Sequence, residues 1–471
     1  MQITKKTKIV ATVGPVSENE EMLEKMTEAG MNIVRLNFSH SDMEGHTKRL
    51  EMIRNVEKKT GKTLGVLQDL GGPKIRIGEF STEKITLKEG EIFTFTTAEM
   101  VGNEKIVYVN YKNLPVEVKP GGEILVEDGK KRLEVISAEG NEVKTRVIVG
   151  GEITGRRGVN LPGAYLSVSS ITEKDRKDIE FGIKNKVDFT ALSFVRKGDD
   201  IKELREILKS AGSESKIIAK IETREAVENL DEILNLSDGA MVARGDLAIE
   251  IGLENVPIIQ KTIIKKCNLL GKPVITATQV LESMIESPVP TRAEVSDAAN
   301  AILDGTDAVM LSAETAAGKY PAEAVDMLRK VAERTEKDYN HRRMHFRIIN
   351  HEGVKDPLSG SVINSANDSS AKLIVAFTES GRTARFISRW KPRQPIVCFT
   401  PNEDCLGQIM LSFGCYGVPI KRYDKFEEAL HYAENFLVES GLAEKGDKIV
   451  IAAGAPFDEE IAVNSLLVKT L

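Results

Sequence analysis

The sequence has few cysteines, no long apolar run and no large excess of charge of either sign. Its four cysteines, Cys267, Cys398, Cys405 and Cys415, form no Cys-x-x-Cys pair and have no histidine partners nearby. This argues against both a structural zinc site and a disulfide framework. No apolar stretch approaches the roughly 18 residues needed to span a bilayer. We therefore expect a cytoplasmic protein that does not associate with membranes.

The charge balance excludes a second set of functions. With 65 basic and 71 acidic residues, the net charge is −6, which argues against a general affinity for nucleic acid or anionic membrane surfaces. Any phosphate site must therefore be local. The 471 residues suffice for about three domains of roughly 150 residues each.

Short apolar runs alternate with amphipathic helical patterns along much of the chain. Parallel strands that are buried on both faces have such continuous apolar runs. Their number favours a (β/α)₈ TIM barrel over an open sheet. Ser17 with Glu20 predicts a capping box, and Gly30, Gly61 and Gly271 predict helix ends. The predicted barrel strands are Lys8–Gly14, Asn32–Ser39, Leu64–Leu70, Asp188–Val195, Lys216–Glu222, Gly239–Asp246, Pro273–Thr278 and Ala308–Thr315.

Two regions depart from this alternation. Between Gly71 and Ile171, period-two runs separated by turn signals predict an all-β insert after the third strand. After about residue 340, strand patterns and helices predict a separate α/β domain, with strands at Leu373–Thr378, Pro395–Thr400 and Lys448–Ala453. We therefore assign 1–71 and 171–341 to the barrel, 72–170 to the β-rich insert and 342–471 to the C-terminal domain.

Polar residues gather where the predicted strands end, and catalytic residues of such barrels lie at those ends. Glu222 and Asp246 would repel each other unless a cation held them, and two carboxylates suit Mg²⁺ or Mn²⁺ better than zinc. Lys220 and Arg35 beside them indicate an anionic, phosphate-bearing substrate. The alternative is a structural ring of salt bridges inside the barrel. The other polar residues at these ends are Asn37, Ser39, Asp69, Arg244, Thr276, Thr278, Ser312 and Glu314.

Several strings of residues, in this order along the chain, together resemble the pyruvate kinase family. The resemblance covers nearly the whole chain and implies a barrel interrupted by a β-rich lid, with a C-terminal α/β regulatory domain. The strings are KIVATVGP at 8–15, RLNFSH at 35–40, GPKIR at 72–76, RGVNLPG at 157–163, AKIE at 219–222, MVARGDL at 241–247, TATQVLESM at 276–284 and PTRAE at 290–294.

The resemblance implies phosphoryl transfer from phosphoenolpyruvate to ADP, giving pyruvate and ATP, by a Mg²⁺-dependent homotetramer. Glu222 and Asp246 would bind the metal, and Lys220 would face the transferring phosphoryl group. The remaining expected roles are substrate binding by Arg35, Gly245, Asp246 and Thr278, protonation of the enolate through Thr278 with a water relay at Ser312 and Glu314, and nucleotide binding by Arg76, Arg157 and His40. Because His40 precedes Ser41 and Asp42, a role as a turn or cap residue is the alternative for it.

One departure from the family pattern concerns a monovalent cation. Many members bind it with residues like Asn37, Ser39, Asp69 and the carbonyl of residue 70, and carry a Glu where this chain has Lys74. Residue 70 is also Leu70 rather than Thr. Because an ammonium can supply the charge of K⁺, we expect activity without added potassium. The alternative is that Lys74 points to solvent and K⁺ still binds.

The C-terminal domain carries a candidate effector loop. Hydroxyls and a glycine precede a predicted helix, and backbone amides with the helix dipole favour phosphate there. A well-capped helix without a ligand is the alternative. The loop resembles the family's effector loop for sugar phosphates. Because the segment 455–460 lacks the basic and aromatic residues that some family members use for a second phosphate, we expect a monophosphate such as ribose 5-phosphate or AMP. The loop residues are Thr378, Ser380, Gly381, Arg382 and Thr383.

Two smaller departures and two rival functions remain. Arg157 replaces a common Lys, which leaves nucleotide preference open, and Ala248 replaces a common Gly without a physical interpretation. The segment Ser359–Ser370 looks short for the helix expected there. The rivals are another Mg²⁺-dependent, enolate-forming lyase or aldolase, and a catalytically silent regulatory paralogue that senses phosphometabolites.

Overall fold

The computed structural model describes residues 3–164, 166–339, 357–454 and 463–471. Within these ranges, no helix is both long enough and apolar enough to cross a bilayer. Strands and helices are numbered along the chain.

Parallel strands close into a barrel, which confirms the predicted fold class. Neighbours follow one another around the barrel as β1-β16-β15-β14-β13-β12-β3-β2. All residues of β1, β3, β12, β14, β15 and β16 are buried, as strands covered on both faces must be. The barrel strands are β1 (Lys8–Thr12), β2 (Ile33–Asn37), β3 (Gly65–Asp69), β12 (Phe189–Leu192), β13 (Lys216–Ile221), β14 (Gly239–Ala243), β15 (Val274–Ala277) and β16 (Ala308–Leu311).

Helices connect these strands. Gly30, Gly61 and Gly271 end three of them with φ angles of 116°, 66° and 69°, as predicted. The helices of this part are α1 (Glu20–Ala29), α2 (Met43–Thr60), α4 (Glu173–Lys184), α5 (Gly198–Ser210), α6 (Arg224–Glu228), α7 (Leu230–Leu236), α8 (Arg244–Ile251), α9 (Val256–Leu270), α10 (Arg292–Asp304), α11 (Ala313–Ala316) and α12 (Pro321–Lys337), with 3₁₀ turns at Leu253–Asn255 and Glu282–Ile285.

Several local predictions in the barrel are wrong, among them the end of the fourth strand, which is Leu192 rather than Val195. The N-cap of α1 is Asn19, whose side chain accepts from the Met22 amide, so Ser17 and Glu20 form no capping box. The sixth and eighth strands end earlier than predicted, and α8 and α11 begin within the predicted strand ranges. Strand pairing stops at Ala243 with Ala277. Beyond that point the backbone has no neighbouring strand, and helical turns satisfy its polar groups instead.

The β-rich insert follows β3 in the chain. Its main sheet has the order β11-β7-β8-β9-β5-β6, and β4 pairs with β10 in a second, smaller sheet. Buried aromatic and aliphatic side chains such as Phe93, Phe95 and Leu133 form its own core. The exact domain boundaries stay a prediction. Its elements are β4 (Lys84–Leu87), β5 (Ile92–Thr96), β6 (Ile106–Tyr108), α3 (Leu114–Glu117), β7 (Glu123–Val126), β8 (Lys131–Glu139), β9 (Glu142–Val149), β10 (Gly151–Thr154) and β11 (Val159–Asn160).

The C-terminal domain has a five-stranded sheet in the order β19-β18-β17-β20-β21, in which only β21 is antiparallel to its neighbour. A regular helix occupies most of Ser359–Ser370, where the sequence looks short for one. The elements are α13 (Pro357–Asp368), β17 (Leu373–Phe377), α14 (Arg382–Ser388), β18 (Ile396–Thr400), α15 (Glu403–Ile409), β19 (Cys415–Pro419), α16 (Phe426–Glu439), β20 (Lys448–Ala453) and β21 (Ser465–Thr470).

The C-terminal domain also covers the floor of the barrel, the end at which the strands begin. Met410, Leu411 and Tyr416 belong to the same buried cluster as barrel-interior side chains such as Leu67 and Ile218. Burying a large apolar side chain contributes about 1.5–3 kcal/mol. The floor of the barrel is therefore closed by another domain, whereas its mouth faces the β-rich insert.

Candidate active site

Lys220 lies at the centre of the barrel mouth. Its Nζ donates to Ser193 Oγ at 2.6 Å and lies 3.2 Å from Asp69 Oδ1 and 3.5 Å from Glu222 Oε2. Burial disfavours the charged form, but Asp69 and Glu222 outweigh it and raise the pKa of Lys220. The Lys220 side chain therefore stays protonated, as an ammonium group at the base of the cleft.

Arg35 stands beside Lys220 and shares a carboxylate with it. Its Nε donates to Asp69 Oδ2 at 2.6 Å, and its Nη1 donates to Thr12 Oγ1 at 3.0 Å. Burial opposes the ionisation of Asp69, yet Lys220 and Arg35 outweigh it and lower its pKa. Asp69 thus remains charged and holds two cations in place, which makes this end of the barrel suited to an anion.

Glu222 keeps one oxygen available. Its Oε1 accepts from the Phe194 amide at 2.6 Å, while its buried Oε2 has no hydrogen-bond partner among the residues that the structure describes. Burial raises the pKa of Glu222, Lys220 opposes that effect and the nearby charge of Asp246 adds to it. A divalent cation at this oxygen would satisfy it and favour its ionised form.

Asp246 approaches Glu222 from the first turn of α8. Across residues 3–164, 166–339, 357–454 and 463–471, no three His, Cys, Asp or Glu side chains form a complete metal site. Mg²⁺ usually keeps several waters and binds through one or two carboxylates plus substrate oxygens. The two carboxylates and the available Oε2 therefore fit Mg²⁺ or Mn²⁺ that shares its coordination with a substrate.

Thr278 and Gly245 lie against each other. The Gly245 amide donates to Thr278 Oγ1 at 2.9 Å, and the same hydroxyl donates to the Ala277 carbonyl at 2.7 Å. Thr278 follows the last residue of β15 and has a φ angle of 65°. The strand ends thus bring the predicted carboxylate-binding amide and the predicted proton donor together.

Glu314 ties two strand ends to each other. It is 2% exposed, and its oxygens accept from the Ser312 amide at 2.7 Å and the Leu281 amide at 3.1 Å. Ser312 Oγ is buried and has no hydrogen-bond partner within the described ranges. Ser312 is thus available to a water, whereas Glu314 is occupied by backbone amides.

Two residues of the site escaped the sequence analysis. Ser193 donates to the Leu70 carbonyl at 2.7 Å while it accepts from Lys220, and Phe194 presents its amide to Glu222. Ser193 is the last polar residue of the predicted strand Asp188–Val195, so the criterion that selected the other strand ends would have found it. The φ angle of 53° at Phe194 has no signal in the sequence.

Comparison with known families gives two matches that together span most of the chain. The model of the pyruvate kinase barrel domain matches residues 4–325, and that of the pyruvate kinase alpha/beta domain matches residues 356–469. The chain belongs to the pyruvate kinase family. It is accordingly a phosphotransferase.

Individual relatives agree over almost the full length. The pyruvate kinase of Thermotoga maritima is 47% identical over 96% of both chains, and that of Clostridium perfringens is 43% identical over 99% of this chain and all of its own. The pyruvate kinase of Geobacillus stearothermophilus is 45% identical over 99% of this chain and 80% of its own. A crystal structure of a pyruvate kinase from Cryptosporidium parvum superposes with a TM-score of 0.94 at 38% identity, covering 99% of this chain and 96% of that one.

The residues that many pyruvate kinases use for a monovalent cation have other contacts here. Asn37 Oδ1 accepts from the Ser39 amide at 3.1 Å, and the Leu70 carbonyl accepts from Ser193. Asp69 is paired with Lys220 and Arg35. Lys74 is exposed and lines one cleft together with Ser39. Independence from K⁺ stays a prediction.

Two of the expected nucleotide residues, Arg76 and Arg157, lie on the β-rich insert and its hinge, whereas the third, His40, lies in the loop after β2. Arg76 bridges to Gly158 through the backbone, and Arg157 Nε donates to Thr154 Oγ1 at 2.7 Å. Partial burial and then the charges of Lys74, Arg76 and Arg35 lower the pKa of His40. The structure thus brings His40 close to three cations, in a region suited to phosphates.

The expected effector residues line one pocket of the C-terminal domain. Thr378, Ser380, Arg382 and Thr383 line it, and Gly381, with a φ angle of 74°, is the N-cap residue of α14. Lys421, Arg422 and Tyr423 also line this pocket, although no motif in the sequence indicates them. The segment 455–460 lies outside the described residues.

Proposed function

We propose that this pyruvate kinase transfers the phosphoryl group of phosphoenolpyruvate to ADP with the help of Mg²⁺ or Mn²⁺. The observation that carries the proposal is the position of Lys220 between Asp69 and Glu222, with Glu222 Oε2 still available. Loose phosphoryl transfer needs neutralisation of charge rather than a protein nucleophile. Lys220 and Arg35 supply positive charge, and Glu222 with Asp246 would hold the metal.

The chain's own residues account for the steps around the transfer. Lys220 and Arg35 bind the anionic substrate and stabilise the charge that develops on the phosphoryl oxygens. The bound metal ion would neutralise further charge there. A substrate carboxylate at the Gly245 amide would replace Thr278 Oγ1 as its acceptor, which leaves that hydroxyl to face the enolate. Thr278 then passes its hydroxyl proton to the methylene carbon of the enolate, and a water held at Ser312 relays a solvent proton back to the Thr278 oxygen, so that no alkoxide remains.

Omission of single substrates tests this function. Pyruvate formation, followed by a coupled reduction, should require phosphoenolpyruvate, ADP and a divalent metal together. Pyruvate that forms from phosphoenolpyruvate without ADP would favour a lyase or aldolase. No turnover under any of these conditions would favour a silent regulatory paralogue.

Activity without potassium forms the second part of the proposal. The exposed Lys74 ammonium lines the same cleft as Ser39 and can occupy the space where others bind K⁺. Adding KCl to a potassium-free assay should raise kcat by less than about tenfold. Lys74→Glu should make the enzyme depend on added KCl, and tetramethylammonium chloride serves as the ionic-strength control.

We also propose that the C-terminal pocket binds a phosphate monoester that activates the enzyme. Arg382 and Lys421 line it together with the hydroxyls of Thr378, Ser380 and Thr383. Ribose 5-phosphate or AMP should lower the phosphoenolpyruvate concentration at half-maximal rate, and Arg382→Gln should weaken this response. Sigmoidal kinetics that no sugar phosphate alters would contradict this part.

A homotetramer is the expected assembly. Leu253, just before α9, is 77% exposed, and Ile258, at the start of α9, is 64% exposed. Exposed apolar side chains of this kind are typical of subunit interfaces. Light scattering during size-exclusion chromatography should give about four times the chain mass of 51.8 kDa. A monomer would contradict the assembly.

A further inference from the structure

Arg244 is a buried residue. Among the described residues, its side chain forms no hydrogen bond or ion pair with either candidate metal ligand. It follows β14 directly and is 9% exposed. Its guanidinium donates to three consecutive backbone carbonyls at the end of β15 and just beyond it: Ala277 at 3.1 Å, Thr278 at 2.7 Å and Gln279 at 3.3 Å. One side chain thus connects the mouth end of β14 to the mouth end of β15.

The segment that Arg244 holds has an uncommon backbone. Thr278 and Gln279 have φ angles of 65° and 52°, in the left-handed region that a β-branched residue such as threonine rarely adopts. Such a conformation persists only when the surrounding contacts determine it. The carbonyl contacts of Arg244 are contacts of that kind, and two of the three act on the strained residues Thr278 and Gln279 themselves.

Arg244 is itself fixed from behind. Its Nη1 donates to Asp297 Oδ2 at 2.7 Å and to Gln260 Oε1 at 3.4 Å, so α10 and α9 hold the guanidinium plane. The planar fork of arginine can reach several acceptors in one geometry, which a lysine ammonium cannot reproduce. The orientation of the guanidinium group therefore determines the positions of the backbone carbonyls of residues 277–279.

The position of the Thr278 hydroxyl follows from these contacts. Its Oγ1 accepts from the Gly245 amide and donates to the Ala277 carbonyl, and that carbonyl also accepts from Arg244 Nε. Without the guanidinium, residues 278 and 279 would be free to relax to negative φ angles. The hydroxyl would then leave the Gly245 amide and the cleft.

We propose that Arg244 is a positioning residue that holds the Thr278 hydroxyl in place for proton transfer to the enolate. This inference rests on the proposed function, because it takes the role of Thr278 from there. Arg244 acts through the Thr278 backbone, so its removal should impair turnover and protonation while leaving the binding of ADP intact.

A double-mutant cycle tests the proposal. Arg244→Lys keeps the charge and removes the fork, and Thr278→Val removes the hydroxyl and keeps the shape. We expect Arg244→Lys to lower kcat by about 30-fold with the KM for ADP changed less than about threefold. In the Thr278→Val background, the same Arg244→Lys change should alter kcat by less than about threefold.

Arg205→Lys is the matched control. Arg205 Nη2 also donates to a carbonyl, that of Leu236 at 3.2 Å, and pairs with Asp238 at 2.7 Å, but it lies at the opposite end of β14. Its replacement should leave kcat within about twofold. Exchange of the pyruvate methyl protons in D₂O, followed by NMR, should fall in Arg244→Lys as far as kcat falls and stay unchanged in Arg205→Lys.

Equal losses from Arg244→Lys in both backgrounds, or an unchanged kcat, would overturn the inference. If Arg244→Lys does not fold, Asp297→Asn takes its place, because it removes the carboxylate that fixes the guanidinium; an unchanged methyl exchange rate in that variant would then overturn it. A wild-type protein that makes no pyruvate from phosphoenolpyruvate and ADP would instead contradict the proposed function.

Discussion

At the mouth of the barrel Lys220 lies among Asp69, Glu222 and Ser193, and at the floor Lys391 reaches from the C-terminal domain to Asp307. The Lys391 side chain is fully buried and the Lys220 side chain is 13% exposed, and both face carboxylates. Two carboxylates raise the pKa of Lys220, whereas burial lowers the pKa of Lys391 although Asp307 opposes that effect. The pKa of the lysine is therefore shifted in opposite directions at the two ends of the barrel.

The carboxylates at the two ends also differ in how many of their oxygens accept hydrogen bonds. At the floor, Asp307 Oδ1 accepts from the Phe413 amide at 3.0 Å and pairs with Lys391 at 2.6 Å, while Oδ2 accepts from the Val274 amide at 3.1 Å. At the mouth, Glu222 Oε2 has no hydrogen bond among the described residues. A buried carboxylate oxygen without a hydrogen bond, rather than burial of charge, distinguishes the mouth from the structural ion pair at the floor.

The largest expected effect comes from removing the cation at each end. Lys220→Met should lower kcat by about 10³-fold, because it removes charge stabilisation at the transferring group. Lys391→Met should leave kcat per folded molecule within about threefold. Steady-state assays with phosphoenolpyruvate and ADP measure both, and comparable losses in the two variants would break the comparison.

For stability we expect the opposite order of the two variants, with the larger loss in Lys391→Met. Lys391→Met should lower the free energy of unfolding by about 3–5 kcal/mol, because it leaves Asp307 buried without its cation. Guanidinium unfolding measures the change. The double variant Lys391→Met with Asp307→Asn should lose less, and a loss as large as that of the single variant would contradict the ion-pair explanation.

Metal affinity sharpens the comparison further. Glu222→Gln should weaken Mn²⁺ binding at least about tenfold, since one anionic ligand is lost. Titration with Mn²⁺ followed by electron paramagnetic resonance measures the free ion directly. Asp188→Asn, which changes a buried carboxylate at the floor, should leave this affinity unchanged. A wild-type affinity in Glu222→Gln would place the metal elsewhere.

The smallest effect concerns the pH dependence of stability. Asp188 Oδ2 accepts from the Val66 amide at 2.7 Å, and burial raises the pKa of Asp188 to about 7. The folded chain thus holds the proton more tightly than the unfolded chain, whose Asp pKa is about 3.9. The stability from this group is fully present below pH about 4 and is lost as pH rises through about 7.

Asp188→Asn should remove this dependence, because an amide does not titrate in this range. The slope of unfolding free energy against pH should become less negative between pH about 4 and 7, by up to about 1.4 kcal/mol per pH unit, the value for one proton. Thermal unfolding across this pH range measures it. Identical slopes in parent and variant would show that Asp188 is ionised in the folded chain.

Much of the barrel and of its mouth could be predicted from the sequence, because both depend on local patterns. Continuous apolar runs indicated the barrel strands, and the alternation of side chains along β13 placed Lys220 and Glu222 on one side. The C-terminal ends of parallel strands meet at one edge, so Arg35 and Asp69 were expected there too. The side-chain contacts at 3.2 and 3.5 Å agree with that expectation.

What could not be predicted depends on residues that are distant in the chain. The helical turn from Arg244 and the positive φ angle of Thr278 are stabilised by contacts between two strand ends 33 residues apart. Strand β19 (Cys415–Pro419) lies at an edge of its sheet and packs toward the barrel floor, so its residues show no simple alternation. The pairing of Lys391 with Asp307 has no local signal at all, since it joins two domains.

The closed floor has a consequence for synthesis on the ribosome. The last barrel strand is complete at Leu311, yet the side chains that cover the underside, Met410, Leu411 and Tyr416, are translated roughly 100 residues later. At ordinary elongation rates this interval is roughly 5–20 seconds. During that time the nascent barrel exposes an apolar opening, so the need for a chaperone is greatest between the synthesis of Leu311 and that of Tyr416.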